Sequence, residues 1–166
     1  MRKSLIVSAA AIALASVPAS ADTGTATFEI PRIEVSNYRK PYVAIWLEDA
    51  DRKAVKMYRV LFDQSPIGDN WLPDLKTWWR RGGRAMEMPV AGVTRPTRGP
   101  GSYKLDMGSL AELPPGQYAL VFEAAREKGG REVVKLPFEW APGASVDVAA
   151  SGSTEMGAVS LTISDE

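Results

Sequence analysis

"YVAIWLEDADRKAVKMYRVLF", Tyr42 to Phe62, decides the fold class. Tyr42 to Leu47 is a dense run of β-branched, aromatic and aliphatic side chains. "EDADRK" is a polar turn, and Val55 to Phe62 resumes the apolar pattern. Two such runs about a short polar segment predict a β-hairpin. Outward from it the pattern stays strand-like. Thr25–Val35 alternates around Phe28, Ile30 and Ile33, with Pro31 marking an edge or bulge. Ser102–Met107, Leu113–Glu127, Val133–Trp140, Val146–Val148 and Val159–Ile163 follow, separated by Gly- and Pro-bearing turns. "PGSYKL" at 100–105 echoes "PGQYAL" at 115–120, two strands entered by similar turns rather than a repeat array. Seven or eight short strands at this spacing, without βαβ alternation, predict a mainly β protein. The expected fold is an antiparallel immunoglobulin-like β-sandwich.

One segment departs from the strand pattern. "NWLPDLKTWWRRGG", Asn70–Gly83, holds three of the five tryptophans. Asp69 or Asn70 supplies a cap and Pro73 falls in a first turn, where its missing N–H is tolerated. Trp71, Leu72, Leu75, Trp78 and Trp79 share one face at helical spacing. Arg80 and Arg81 suit the C-terminal end of the dipole, and Gly82-Gly83 stops the helix. A single helical insertion over about residues 71–81 is expected. Its apolar stripe reads as a plug on the sandwich, with Trp78 or Trp79 at the exposed edge.

The chain opens with Arg2 and Lys3, an apolar run from Leu5 to Val17, and Ala19-Ser20-Ala21. This is the pattern of a secretory signal cleaved after Ala21. The apolar run is too short for a comfortable membrane span, and no cysteine follows it to carry a lipid anchor. The expected location is the periplasm. Removing the first 21 of 166 residues leaves 145, expected as a single β-sandwich domain over 22–166. That portion carries 18 basic and 20 acidic side chains and has no further apolar run of membrane length. A balance so near neutrality gives no electrostatic reason to expect nucleic acid or an anionic membrane surface.

Cysteine is absent, so no disulfide staples the fold and the apolar core must hold it. Histidine is absent too. That removes Ser-His-Asp and Cys-His catalysis, the usual zinc ligand sets and histidine-ligated haem. No catalytic motif is recognisable, and the chain is read as not an enzyme.

Four blocks taken in order resemble one family. They are "YVAIWLED" (42–49), "WLPDLKTWWR" (71–80), "GVTRPTRGPGSYKL" (92–105) and "PPGQYALVFEAARE" (114–127). They are similar to the predicted periplasmic proteins grouped as domain-of-unknown-function family 2271, over roughly residues 25–140. Leu113–Glu127 also looks like the late hairpin of the immunoglobulin-like domain in flagellar hook-capping proteins. The resemblance implies a periplasmic location and a sandwich. The family has no established reaction. Its members are commonly linked with membrane proteins carrying PepSY domains and with periplasmic flavin transferases. The resemblance therefore implies a module acting through a periplasmic or inner-membrane protein partner, accessory to a redox system of that type. This first reading expects no cofactor.

Several residues are candidates for a site. Proteins that carry FMN through a threonine phosphoester share Asp-x-x-Ser/Thr-Gly-Ala-Ser/Thr-x-Ser/Thr. Aligned on Gly92, "PVAGVTRPT" makes Thr94 the acceptor, with Gly92 and Thr97 carried over and Met88, Ala91 and Val93 departing. The chemistry needs an exposed hydroxyl on a loop. This alternative makes the chain an electron carrier with covalent FMN; the plainer reading is an ordinary turn with solvated Arg95 and Arg98. Met86 and Met88, with Met107, offer soft sulfur for Cu(I), against methionine's commoner part as core filler. Glu48, Asp49, Asp51, Glu123 and Glu127 are the pool for a carboxylate pair in a glycosidase or carbohydrate-binding module, the second alternative. Neither "SYK" nor "SNYRK" supplies a Ser-x-x-Lys element. For a partner or ligand face the candidates are Trp71, Trp78, Trp79, Arg80, Arg95 and Arg98, since Trp and Arg are favoured at interface hot spots.

Overall fold

In the computed structural model, residues 22–164 are described. The expected signal, residues 1–21, and the last two residues lie outside them. Nine strands form: β1 (Thr23–Ile30), β2 (Tyr42–Asp49), β3 (Ala54–Phe62), β4 (Thr94–Pro96), β5 (Gly101–Ser109), β6 (Gly116–Ala125), β7 (Arg131–Trp140), β8 (Val146–Ser151) and β9 (Ala158–Ser164). They make two sheets, ordered β5-β1-β9-β8 and β4-β3-β2-β6-β7. All neighbours pair antiparallel except β3 and β4, which run parallel. The predicted mainly β sandwich with a helical insertion is what the chain forms. Three-residue β4 falls where the sequence read as loop, because its Pro and Gly flanks mask a short edge pairing. β1 ends at Ile30 rather than Val35. It lies between β5 and β9, where Pro31 would have left a ladder position without a donor.

The facing surfaces of the sheets bury Phe28, Ile30, Leu105, Leu161 and Ile163 from one side and Val43, Ile45, Leu47, Leu120, Phe122 and Leu136 from the other. Tyr58 and Leu61, three apart on β3, both reach this core because the register shift at Ile45/Trp46 leaves Tyr58 as an extra, unpaired residue between Met57 and Arg59. Away from the sheet centres the layers are tied by polar contacts. Glu132 on β7 accepts the backbone N–H groups of Ser153, Thr154, Glu155 and Met156 in the β8–β9 turn. Arg126 pairs with Glu155 at 2.9 Å, both almost fully buried.

The five-stranded sheet is buried on its second face as well. Ala44, Trp46, Val60, Phe62, Val121 and Ala125 lie under Leu72, Leu75 and Trp78 of the insertion. Hence β2 reads as a continuous apolar run rather than an alternation: odd positions enter the sandwich and even positions face the insertion.

The insertion is not one helix over 71–81. A 3-10 segment spans Gly68–Asp74, the backbone breaks at Leu75 (φ −74°, ψ 69°), and α1 spans only Lys76–Arg81. A second 3-10 turn, Gly83–Ala85, follows. The buried series is therefore Leu72, Leu75, Trp78, spaced by three. In a 3-10 turn, positions i and i+3 eclipse, so Trp71 shares the outer side with Asp74 instead of the inner side with Leu75. The three tryptophans separate accordingly: Trp78 is fully buried, Trp79 partly so, and Trp71 is 49% exposed. Gly83 packs against the Trp78 ring so closely that an added Cβ would lie 2.6 Å from it.

Candidate functional site

The insertion is fastened to the sheet by two carboxylates. Leu75 provides no side-chain cap for α1. Glu123, fully buried on β6, takes that part from across the interface, accepting Thr77 N–H at 2.9 Å and Trp78 N–H at 2.7 Å. These are amides that a helix start leaves without partners. Arg131 donates its Nε to the same carboxylate at 2.6 Å and reaches the Thr77 hydroxyl. At the other end, Glu48 on β2 accepts Trp46 Nε1 at 3.0 Å and Lys135 Nζ at 2.7 Å, and lies 3.4 Å from Arg81 Nε. One carboxylate thus holds the start of α1 and the other its last residue.

This arrangement uses up the most buried members of the carboxylate pool. Glu123 is paired with Ala44 in the ladder and Glu48 with Ala119, four positions apart along β2. At about 3.3 Å per residue their backbones stand roughly 13 Å apart, well beyond the spacing of a glycosidase pair once each side chain is held at its own end of the helix. Asp49 instead accepts the backbone of Asp51 and Lys53 in the β2–β3 turn. Glu127 forms an exposed pair with Arg39 at 3.6 Å.

The described surface closest in character to a binding site lies along the outer edge of the insertion. Trp71 and Ile67, 49% and 64% exposed, form an apolar ridge. Trp71 lines two grooves that also share Asp74, Ala125 and Glu127. The larger, about 560 Å³, is bordered by Tyr38, Tyr42, Asp63, Asp74 and Thr97. The other, about 440 Å³, is bordered by Asp74, Lys76, Arg126, Lys128 and Arg131. Tyr42 is fixed by donating its hydroxyl to the Gly68 carbonyl at 2.9 Å and by an edge contact with Phe62. The ridge therefore stands on a rigid base.

The other candidates distribute differently. Arg80 is exposed and turns its Nε back to the Lys76 carbonyl. Arg95 and Arg98 do not join Trp71: they face a separate cleft beside β5, while Thr97 between them lines the Trp71 groove. Thr94 is not the exposed acceptor the flavin motif requires. It is 6% exposed in β4, and its hydroxyl donates to the Val90 carbonyl at 3.0 Å. Counted from Gly92, the motif's last hydroxyl position also falls on Pro96, leaving Thr97 one residue out of register. Gly92 sits in the turn before β4 at φ +77°. Met86 and Met88 pack over the outer face of the five-stranded sheet, whereas Met107 is buried between the sheets, so the three sulfurs do not converge.

Ile67, Tyr38, Tyr42 and Asp63 escaped the sequence reading of the site. Ile67 carried a signal, an isolated large apolar residue in the polar stretch "DQSPIGDN". The two tyrosines carried none, since tyrosine beside or within a strand is ordinary.

Fold and site together define a β-sandwich with one sheet capped by a pinned insertion and an aromatic ridge left outside. The family model described as "Predicted periplasmic protein (DUF2271)" matches residues 23–158. The chain belongs to that family and is a periplasmic protein. No curated protein and no solved structure matches it. No helix among the described residues is long and apolar enough to cross a membrane.

Proposed function

We propose that this protein is a non-catalytic periplasmic binding module whose contact surface is the Trp71–Ile67 ridge and the grooves beside it. The observation that carries the reading is the exposure of Trp71 and Ile67 on an insertion otherwise fixed to the sheet by Glu123 and Glu48. A rigidly mounted indole loses little side-chain entropy on binding, and Trp is the side chain most enriched at interface hot spots. The absence of histidine and cysteine supports the non-catalytic part. The partner is a protein of the periplasm or inner membrane. The family resemblance favours one belonging to a PepSY- or flavin-transfer-type redox system.

The test is capture of membrane and periplasmic proteins by the mature chain, with Trp71→Ala and Ile67→Asp as variants. Both replace exposed side chains, so the folded state persists while a specific prey is lost. Prey retained equally by both variants would refute the ridge as the contact surface. Trp71 flanked by Asp63 and Asp74 also has the make-up of a sugar-stacking platform. A glycan array that lights up in the wild type and not in Trp71→Ala would replace the protein partner by a carbohydrate.

A further inference from the structure

The separate cleft beside β5, about 410 Å³, opens at the side of the sandwich between that edge strand of one sheet and β3–β4 of the other. Arg59 reaches it from β3, Arg95 from β4 and Arg98 from the segment that follows, with Lys104 at the lip. No acidic side chain lines it. Among the described residues, none of these four cations has a carboxylate within ion-pair distance.

The guanidiniums are also positioned. Arg95 Nη1 donates to the Thr94 carbonyl at 2.7 Å. Arg98 lies over the Tyr103 ring at 5.4 Å, and that ring is anchored by its hydroxyl donating to the Gly99 carbonyl at 2.7 Å. Burial, reinforced by the charges of Arg95 and Arg98, lowers the pKa of Arg59. Like charges gathered without a counter-ion oppose folding, and the planar fork of arginine matches the oxygens of phosphate in paired hydrogen bonds.

We propose that this cleft, framed by Arg59, Arg95 and Arg98, is a binding site for a phosphate group. The group would come either as free phosphate or as the headgroup of an anionic lipid. The site lies apart from the Trp71 ridge and does not depend on it.

The mature protein is heated in increasing inorganic phosphate at constant ionic strength, with chloride as the balancing anion. A ligand that binds only the folded state raises Tm with its concentration. The wild type shows this rise, and the Arg59→Gln/Arg98→Gln pair shows an apparent Kd weakened by about tenfold or more, as expected when charge-assisted contacts are removed. Both substitutions replace partly or fully exposed side chains, and circular dichroism verifies that the double variant folds. A parallel flotation uses phosphatidylglycerol vesicles against phosphatidylcholine vesicles. Arginine-dependent retention on the former assigns the group to a lipid, and a phosphate response without retention assigns it to a soluble ligand. The proposal is overturned if neither probe binds, or if the double variant responds as the wild type does.

Discussion

Replacing Glu123 with alanine tests whether the insertion is fastened from the sheet. The side chain is fully buried and accepts two backbone amides and a guanidinium. Without it the Trp78 amide, itself buried, loses its only partner, and the Thr77 amide, partly buried, must turn to water. An unsatisfied buried donor costs about 1–3 kcal/mol. The Arg131 side chain is 32% exposed and rehydrates, so its share is smaller. The sum is a loss of about 3 kcal/mol, a large fraction of the 5–15 kcal/mol typical of a whole domain. Glu123→Gln, with one acceptor kept and a donor turned toward other donors, falls between at about 2 kcal/mol. Urea unfolding followed by circular dichroism and tryptophan fluorescence measures the total. Hydrogen exchange at the amides of 76–81 locates it, accelerating about tenfold for each 1.4 kcal/mol lost. A loss under about 1 kcal/mol, with exchange over 76–81 unchanged, would refute the fastening.

Two further outcomes bear on the sandwich itself. The Tyr58 hydroxyl is buried without a hydrogen-bond partner, and burial pushes its pKa up to about 12. Tyr58→Phe is therefore neutral or stabilising by about 1 kcal/mol in thermal unfolding, and a marked loss would mean that the hydroxyl has a partner. Burial acts to raise the Glu132 pKa, but donors at Ser153, Met156 and Thr154 outweigh it and bring the value down to about 2, from an ordinary 4.5. A depressed carboxylate contributes its stability in full above the unfolded value. That contribution is lost as pH falls from about 4.5 toward 2, and is of order 1 kcal/mol after solvent screening. The slope of stability against pH in that window flattens in Glu132→Gln, and an unchanged slope would exclude the group.

The strands were legible because their signals are local. β-Branched and aromatic runs between turn residues place the Tyr42–Phe62 hairpin and the β6 and β7 strands within a few residues of their observed limits. β4 was not legible, because three residues of edge pairing leave no periodicity. The insertion misled for a physical reason. Its apolar spacing fits a 3.6-residue period and a 3.0-residue period about equally well over so short a stretch. Pro73 and the contacts to the sheet select the shorter one. That one change moves Trp71 from the core to the surface and decides where the site lies. The cap on α1 was invisible for another reason: its acceptor, Glu123, is more than forty residues away in sequence. Arg95 and Arg98 were legible as a pair, but Arg59 completes their cleft only through the parallel pairing of β3 with β4.

The Trp71–Ile67 ridge is proposed to meet a protein partner in the periplasm. Its most direct test is site-specific photocrosslinking in the native cell, with the reactive residue at Ile67 and, as control, at exposed Asp147 on the opposite sheet. A discrete crosslinked species is expected from position 67, absent from position 147 and lost with Trp71→Ala. Equal labelling from both positions, or none from position 67 in cells where the protein is abundant, would contradict it.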